Sequence, residues 1–224
     1  TEGLLAALIA ALIIRQLIIQ AYTIPTSSME DTLLVGDFLL VNKFTYGMRT
    51  PDWIGIPYTD IGFDVPWFRF PAIKDPEPYD VIIFRYPKDV SVDYIKRCIA
   101  TEGQTVEIVD KKVFVDGKPF PSPPHMKFID PKVEPRPHTR FAGNRLYRNL
   151  GSRDNYGPIT IPEDSYWAMG DNRDNSLDSR YWGFVREKHI VGQGLVIYFS
   201  WNHHVPLSDI FHKIRFGRIG QVIR

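Results

Sequence analysis

Alternating apolar and polar side chains mark most of this chain as strand. In the stretch VEIVDKKVFVDG, Val106, Ile108, Val113 and Val115 recur at every second position, the period of a pleated strand with one buried face. The stretch predicts a hairpin, and the Asp116-Gly117 turn signal comes next. Short runs rich in β-branched and aromatic residues predict further strands at 38–41 (FLLV), 81–84 (VIIF), 94–100, 105–109, 112–115 and 191–199. Residues 166–169 add another apolar strand segment. Two stretches resist the pattern. Residues 48–78 carry Trp53, Phe63, Trp67, Phe68 and Phe70 among Pro and Gly, which predicts a long apolar surface loop facing a membrane or packed on the core. Residues 119–137 hold seven prolines, too many for a packed strand or helix, and predict an extended excursion. The reading is a mostly β body with a smaller insertion at about 104–160.

The N-terminus departs from this period. Residues 4–14 (LLAALIAALII) are unbroken apolar, followed by Arg15, Gln16 and a second apolar triplet. At about 1.5 Å per residue the run falls short of a hydrocarbon core of roughly 30 Å. Because the chain begins with Thr1 rather than Met, the run is expected to be the distal part of a transmembrane helix, with Arg15 reaching the far interface. The h-region of a secretory signal and a buried helix are the alternatives; no basic segment precedes the run, and no clean small-x-small site follows it.

Composition narrows the function. The 224 residues carry 27 Lys+Arg against 26 Asp+Glu, which removes the basic footprint of a dedicated nucleic-acid binder. The single Cys98 excludes an internal disulfide framework and any CxxC motif.

Three segments hold candidate chemistry. In PTSSMEDTLL, Ser28 reads either as a helix N-cap with Asp31 three residues on or as a nucleophile on a tight turn. In the second reading its own N–H and Thr26 supply donors to an oxyanion. A serine needs a base. The histidines at 125, 138, 189, 203, 204 and 212 sit in Pro-rich or C-terminal stretches without an evident orienting carboxylate. Lys96, in DYIKRCIA, lies among Ile95, Cys98, Ile99 and Ala100, where burial lowers an amine's pKa toward the range of a working base. Tyr94, two residues away, shares its face and shields it; an edge-strand lysine in solvent is the alternative. In GDNRDNSLDSRYWG, Asp171, Asp174 and Asp178 stand three and four residues apart, not at the two-residue steps of a calcium loop. The expectation is a packed polar network in which Asp174 pairs with Arg180 and Ser176 hydrogen-bonds Lys96.

Together, IPTSSM with TLLVGDFLLVNKFTYG, DYIKRCIATEG and MGDNRDNSLDSRYWGFV resemble the three signature boxes of the bacterial type I signal peptidases, in the family's order. The resemblance covers about residues 22–47, 79–109 and 156–197. It implies a membrane-bound Ser/Lys serine endopeptidase that removes signal peptides after small-x-small (Ala-x-Ala) sites, with no metal or organic cofactor. The implied architecture is an anchor at 1–21, a catalytic β core at 22–103 and 161–224, and an inserted domain at 104–160. The implied roles are Ser28 as nucleophile, Lys96 as general base, Ser176 as the residue orienting it, Thr26 and the Ser28 N–H as oxyanion hole, and Asp178 and Arg180 as support. A pocket for small side chains would be lined by Tyr22, Ile24, Met29, Leu33, Leu39, Ile83 and Ile95. The implied partners are signal peptides of exported preproteins and membrane lipid, near the secretion translocon; the implied location is the outer face of the bacterial cytoplasmic membrane. The sequence departs from the family pattern at Asp31, where Pro is usual, and at Glu102 and Gln104, which replace Pro and Asp.

Overall fold

The computed structural model describes residues 19–47, 68–137 and 146–224, with short pieces at 3–4, 6–7, 53–55, 62–64 and 66. Its main body is a seven-stranded antiparallel sheet built from β1 (Ile19–Thr23), β2 (Asp37–Asn42), β5 (Val81–Tyr86), β6 (Asp89–Ala100), β11 (Ser165–Met169), β12 (Val185–Arg186) and β13 (Ile190–Ser200). A hairpin of β3 (Trp53–Gly55) and β4 (Gly62–Asp64) falls in the aromatic loop. A second sheet joins β7 (Thr105–Val109), β8 (Lys112–Val115), β9 (Lys118–Pro119) and β10 (Tyr156–Thr160).

The two-residue period accounts for these strands. Val106 stands opposite Val115 and Ile108 opposite Val113, so one face of the β7–β8 hairpin is apolar throughout. The connection is Asp110-Lys111, both at positive φ (46° and 71°), the backbone of a type I′ turn whose twist matches the strands it joins. Asp116-Gly117, again at positive φ, turns the chain into β9.

The large sheet runs β1-β2-β13-β5-β6-β11-β12, so the last long strand of the chain lies between β2 and β5. Two apolar clusters belong to this sheet, one around Ile82, Phe84, Cys98 and Trp182, the other around Met29, Leu33, Leu39 and Ile83. A third joins Val106, Ile108 and Val113 of the small sheet to Ile99, Trp167 and Met169 of the large one. The small sheet therefore shares its core with the body.

The run at 4–14 lies largely outside the described residues. Among those described, no helix is long and apolar enough to cross a membrane. The expected anchor boundary at 21 gives way to a strand: residues 19–21 already pair with 40–42 of β2. The exposed Phe68 and Phe70 stack edge to face at 5.2 Å; much of the rest of the aromatic loop lies outside the described residues. After Pro119 the Pro-rich segment runs without a further strand, touching the body through a parallel bridge between Lys127 and Asn172.

Candidate active site

Ser28 sits on a one-turn 3-10 helix, Ser27–Met29, between β1 and β2. The capping-box alternative does not form: Thr26 is the N-cap, extended and without a side-chain cap bond. Packing fixes the turn instead. Met29 is fully buried, Leu33 N donates to Met29 O, and Asn172 N donates to Ser28 O (3.1 Å). Asn172 Nδ2 donates to Ser27 O and to Glu30, and Asn175 Nδ2 to Ser27 Oγ.

Lys96 approaches from β6, opposite Ile82 of β5. Its Nζ donates to Ser28 Oγ at 2.8 Å and to Ile95 O at 2.8 Å, and lies 5.3 Å from the Tyr94 ring centroid. Only 4% of the residue is exposed. Burial lowers the Lys96 pKa to about 8, against the opposing pull of Asp178 and Asp171. A neutral amine at this distance presents its lone pair to the hydroxyl and can take its proton. Thr26 Oγ1 lies 3.4 Å from Ser28 Oγ on the same side.

The segment at 170–180 is the packed polar network expected, with different partners. Arg180 grips Asp178 in a fork, Nε to Oδ1 (2.9 Å) and Nη2 to Oδ2 (2.8 Å). Burial pushes the Asp178 carboxyl up, but the Arg180 charge and hydrogen bonds outweigh it and hold the group below the usual range. The expected Asp174–Arg180 pair is not formed. Asp174 turns toward the insertion, where it meets Lys111 (2.9 Å) and accepts the amides of Ile129 and Asp130. Asp178 is the nearer partner because it caps the short helix Ser179–Trp182 and accepts the Arg180 N–H.

Ser176 is buried beside this network and lines the same cleft as Lys96, but its hydroxyl approaches the Asp178 carboxylate, which it helps hold below the usual range, and makes no hydrogen bond to Lys96, which is held by Ile95 O. The cleft, about 580 Å³, is walled by Pro25, Thr26, Val92, Ile95, Leu177 and Tyr181, with Ser28 and Lys96 on its floor. Of the seven residues expected to form the small-residue pocket, Ile95 alone lines it. Ile24, Met29, Leu33, Leu39 and Ile83 are buried in the apolar cluster that carries the nucleophile turn, and Tyr22 packs against that cluster while donating to Asp93. Their apolar character reflects core packing.

Three positioning groups, Asn172, Gly170 and Arg97, carry no role in the sequence reading, and a fourth, Asp171, enters it only through its spacing. Asp171 receives Thr32 Oγ1 and both Nε and Nη2 of Arg97, joining the nucleophile loop, β6 and the polar segment in one buried knot. Asn172 fixes Ser27 and Ser28, as described. Gly170 permits the approach: a Cβ there would lie 2.3 Å from Ser176 Oγ and 2.4 Å from Ser28 O. Arg97 stands in the same apolar strand context that singled out Lys96, so that signal was available.

Of the departures, Asp31 has φ 76°, in the left-handed region closed to proline, and pairs with Lys127 at 3.3 Å. Gln104 accepts the Thr101 N–H and closes the turn before β7. Glu102 accepts the amide of Asp164.

A serine hydroxyl touching a buried, readily neutralised amine at the floor of an open cleft is the equipment of a serine hydrolase. Residues 2–201 match the family model described as signal peptidase, peptidase S26. The chain belongs to this family and is a serine endopeptidase. Signal peptidase I of Pseudomonas fluorescens is 32% identical over 96% of this chain and 75% of its own length. Signal peptidase I of Aquifex aeolicus is 34% identical over 86% and 80%. A solved signal peptidase I structure from Enterococcus faecalis V583 is 28% identical over 55% of this chain and 98% of that one, with a TM-score of 0.35.

Proposed function

We propose that this protein is a membrane-bound endopeptidase that removes signal peptides from exported preproteins after a small-x-small site, using Ser28 as nucleophile and Lys96 as general base. The observation that carries the reading is the buried 2.8 Å contact between Lys96 Nζ and Ser28 Oγ. Neutral Lys96 takes the Ser28 proton as Oγ attacks the scissile carbonyl, then delivers it to the departing amine. Water, activated by the same amine, releases the acyl group from Ser28. Thr26 Oγ1 and the Ser28 N–H face the developing oxyanion. Ser176, which lines the same cleft, orients Lys96 once the Ser28 hydroxyl is consumed. Asp178 and Arg180 hold the segment that carries Ser176.

An extended substrate pairs its main chain with neighbouring strands, and the apolar cleft walls at Val92, Ile95 and Leu177 exclude bulky side chains sterically. The chain is divided into an N-terminal anchor, expected at 1–21 from the sequence, a catalytic core whose first strand is β1, and an insertion at 104–160. It works at the outer face of the bacterial cytoplasmic membrane, close to the translocon and in contact with lipid.

The test is mass spectrometry of a preprotein with an Ala-x-Ala site after incubation with the parent protein, Ser28→Ala or Lys96→Ala. Cleavage after the second Ala by the parent alone supports the reading. Cleavage retained by either folded variant overturns the role of that residue.

A further inference from the structure

Three arginines converge behind the polar segment, and the two carboxylates nearest them are taken. Asp171 is gripped in a fork by Arg97 and Asp178 by Arg180. Arg173 is the third. It is 2% exposed, and its Nε and Nη2 make no hydrogen bond. Burial, reinforced by the Arg180 charge and opposed by Asp171 and Asp178, lowers its pKa to about 10, which leaves the guanidinium charged at neutral pH. A buried guanidinium with unpaired N–H groups is costly, and an oxyanion is the natural partner of its planar fork.

Arg173 also lines a cavity of about 270 Å³ between the β8 strand and the Pro-rich segment. Lys111, Lys112 and Ser122 line it too, beside Phe120 and Phe128, and no carboxylate is among the lining residues. Lys111 is already balanced by Asp174 at 2.9 Å and Asp154 at 3.6 Å. Two positive charges, Arg173 and the exposed Lys112, are left facing one small cavity.

We propose that this cavity is a phosphate-binding site, in which Arg173 and Lys112 hold a phosphate dianion or phosphate ester. The charge count favours phosphate over a carboxylate, because two cations match a dianion. Guanidinium and ammonium donors can together contact three of its oxygens, with Ser122 as a further donor. The Pro-rich segment is then one wall of a ligand site. The site stands apart from the Ser28 cleft and does not depend on the chemistry proposed there.

The test follows the thermal unfolding of the full chain in sodium phosphate against sodium chloride at equal ionic strength. A second arm uses dihexanoylphosphatidylglycerol below its micelle concentration, which offers the same phosphate on a lipid headgroup. The expected result is a saturable rise in Tm, as for any ligand that binds only the folded state. Lys112→Glu, on an exposed side chain, should weaken apparent affinity about tenfold or more, the loss expected for a charge-assisted contact replaced by repulsion. Arg173→Met should abolish the rise; if that variant does not fold, Lys112→Glu decides alone. A response to inorganic phosphate identifies the free ion as sufficient, and a response to the lipid alone identifies the headgroup. No saturable rise with either source, or a rise unchanged in Lys112→Glu, overturns the proposal.

Discussion

Replacing Lys96 by Met should abolish hydrolysis and stabilise the fold at neutral pH. The amine is 4% exposed, and burial lowers its pKa from 10.5 to about 8. At about 1.4 kcal/mol per tenfold, that fall corresponds to about 3 kcal/mol favouring the neutral amine. In the unfolded chain the lysine titrates near 10.5. Between the two values the unfolded state binds more protons, so stability rises with pH across this window; below about 8 the penalty of holding a buried charge is present in full. Methionine keeps most of the apolar stem and removes the charge, at the cost of leaving Ile95 O without its donor, about 1 kcal/mol. The net expectation is a gain of about 2 kcal/mol at pH 7 that shrinks to nothing or reverses by pH 10.5. Urea unfolding of parent and variant at a series of pH values measures the difference, in which other titrating groups cancel.

The same shift governs the parent's activity. Roughly one lysine in ten is neutral at pH 7 with a pKa near 8, against roughly one in three thousand for an unperturbed side chain. The kcat/KM profile should therefore rise with pH and level off above an apparent pKa near 8. A methionine variant that is less stable than the parent by the same amount at pH 7 and pH 10.5 would refute the burial argument. A flat kcat/KM from pH 5 to 9 would refute the assignment of the base.

Other perturbations probe the frame around the pair. Asp178→Asn leaves the Arg180 guanidinium buried without its counter-charge, and should cost about 3–5 kcal/mol in chemical denaturation; a loss under 1 kcal/mol would contradict the buried-pair reading. Gly170→Ala sets a Cβ within 2.4 Å of Ser28 O, so the nucleophile turn must shift, costing about 1–3 kcal/mol in stability and a larger share of kcat than of KM in a peptide-cleavage assay. Asp31→Pro demands a φ near −65° where the backbone has 76°, so it should destabilise by about 3 kcal/mol or more, whereas Asp31→Gly should be tolerated; equal Tm values for the two would contradict the turn geometry.

Local pattern determined much of this protein. The alternation of Val106, Ile108, Val113 and Val115 specified the β7–β8 hairpin and its register, because side-chain period and turn residues are properties of neighbouring positions. An amine amid Ile95, Cys98 and Ile99 signalled an environment that favours its neutral form, for burial in a strand can be read from flanking residues. Tertiary structure decided what depends on positions far apart in the chain. The placement of β13 between β2 and β5 follows from long-range packing. Asp174 sits six residues before Arg180, yet its partners are Lys111 and the amides of Ile129 and Asp130, which only folding brings near. An apolar residue beside a nucleophile reads the same whether it walls a cleft or supports it from below, so the cleft passed to Val92, Ile95 and Leu177 while Met29, Leu33 and Leu39 filled the core. Proximity across 68 residues joins Lys96 to Ser28, and the sheet creates that proximity.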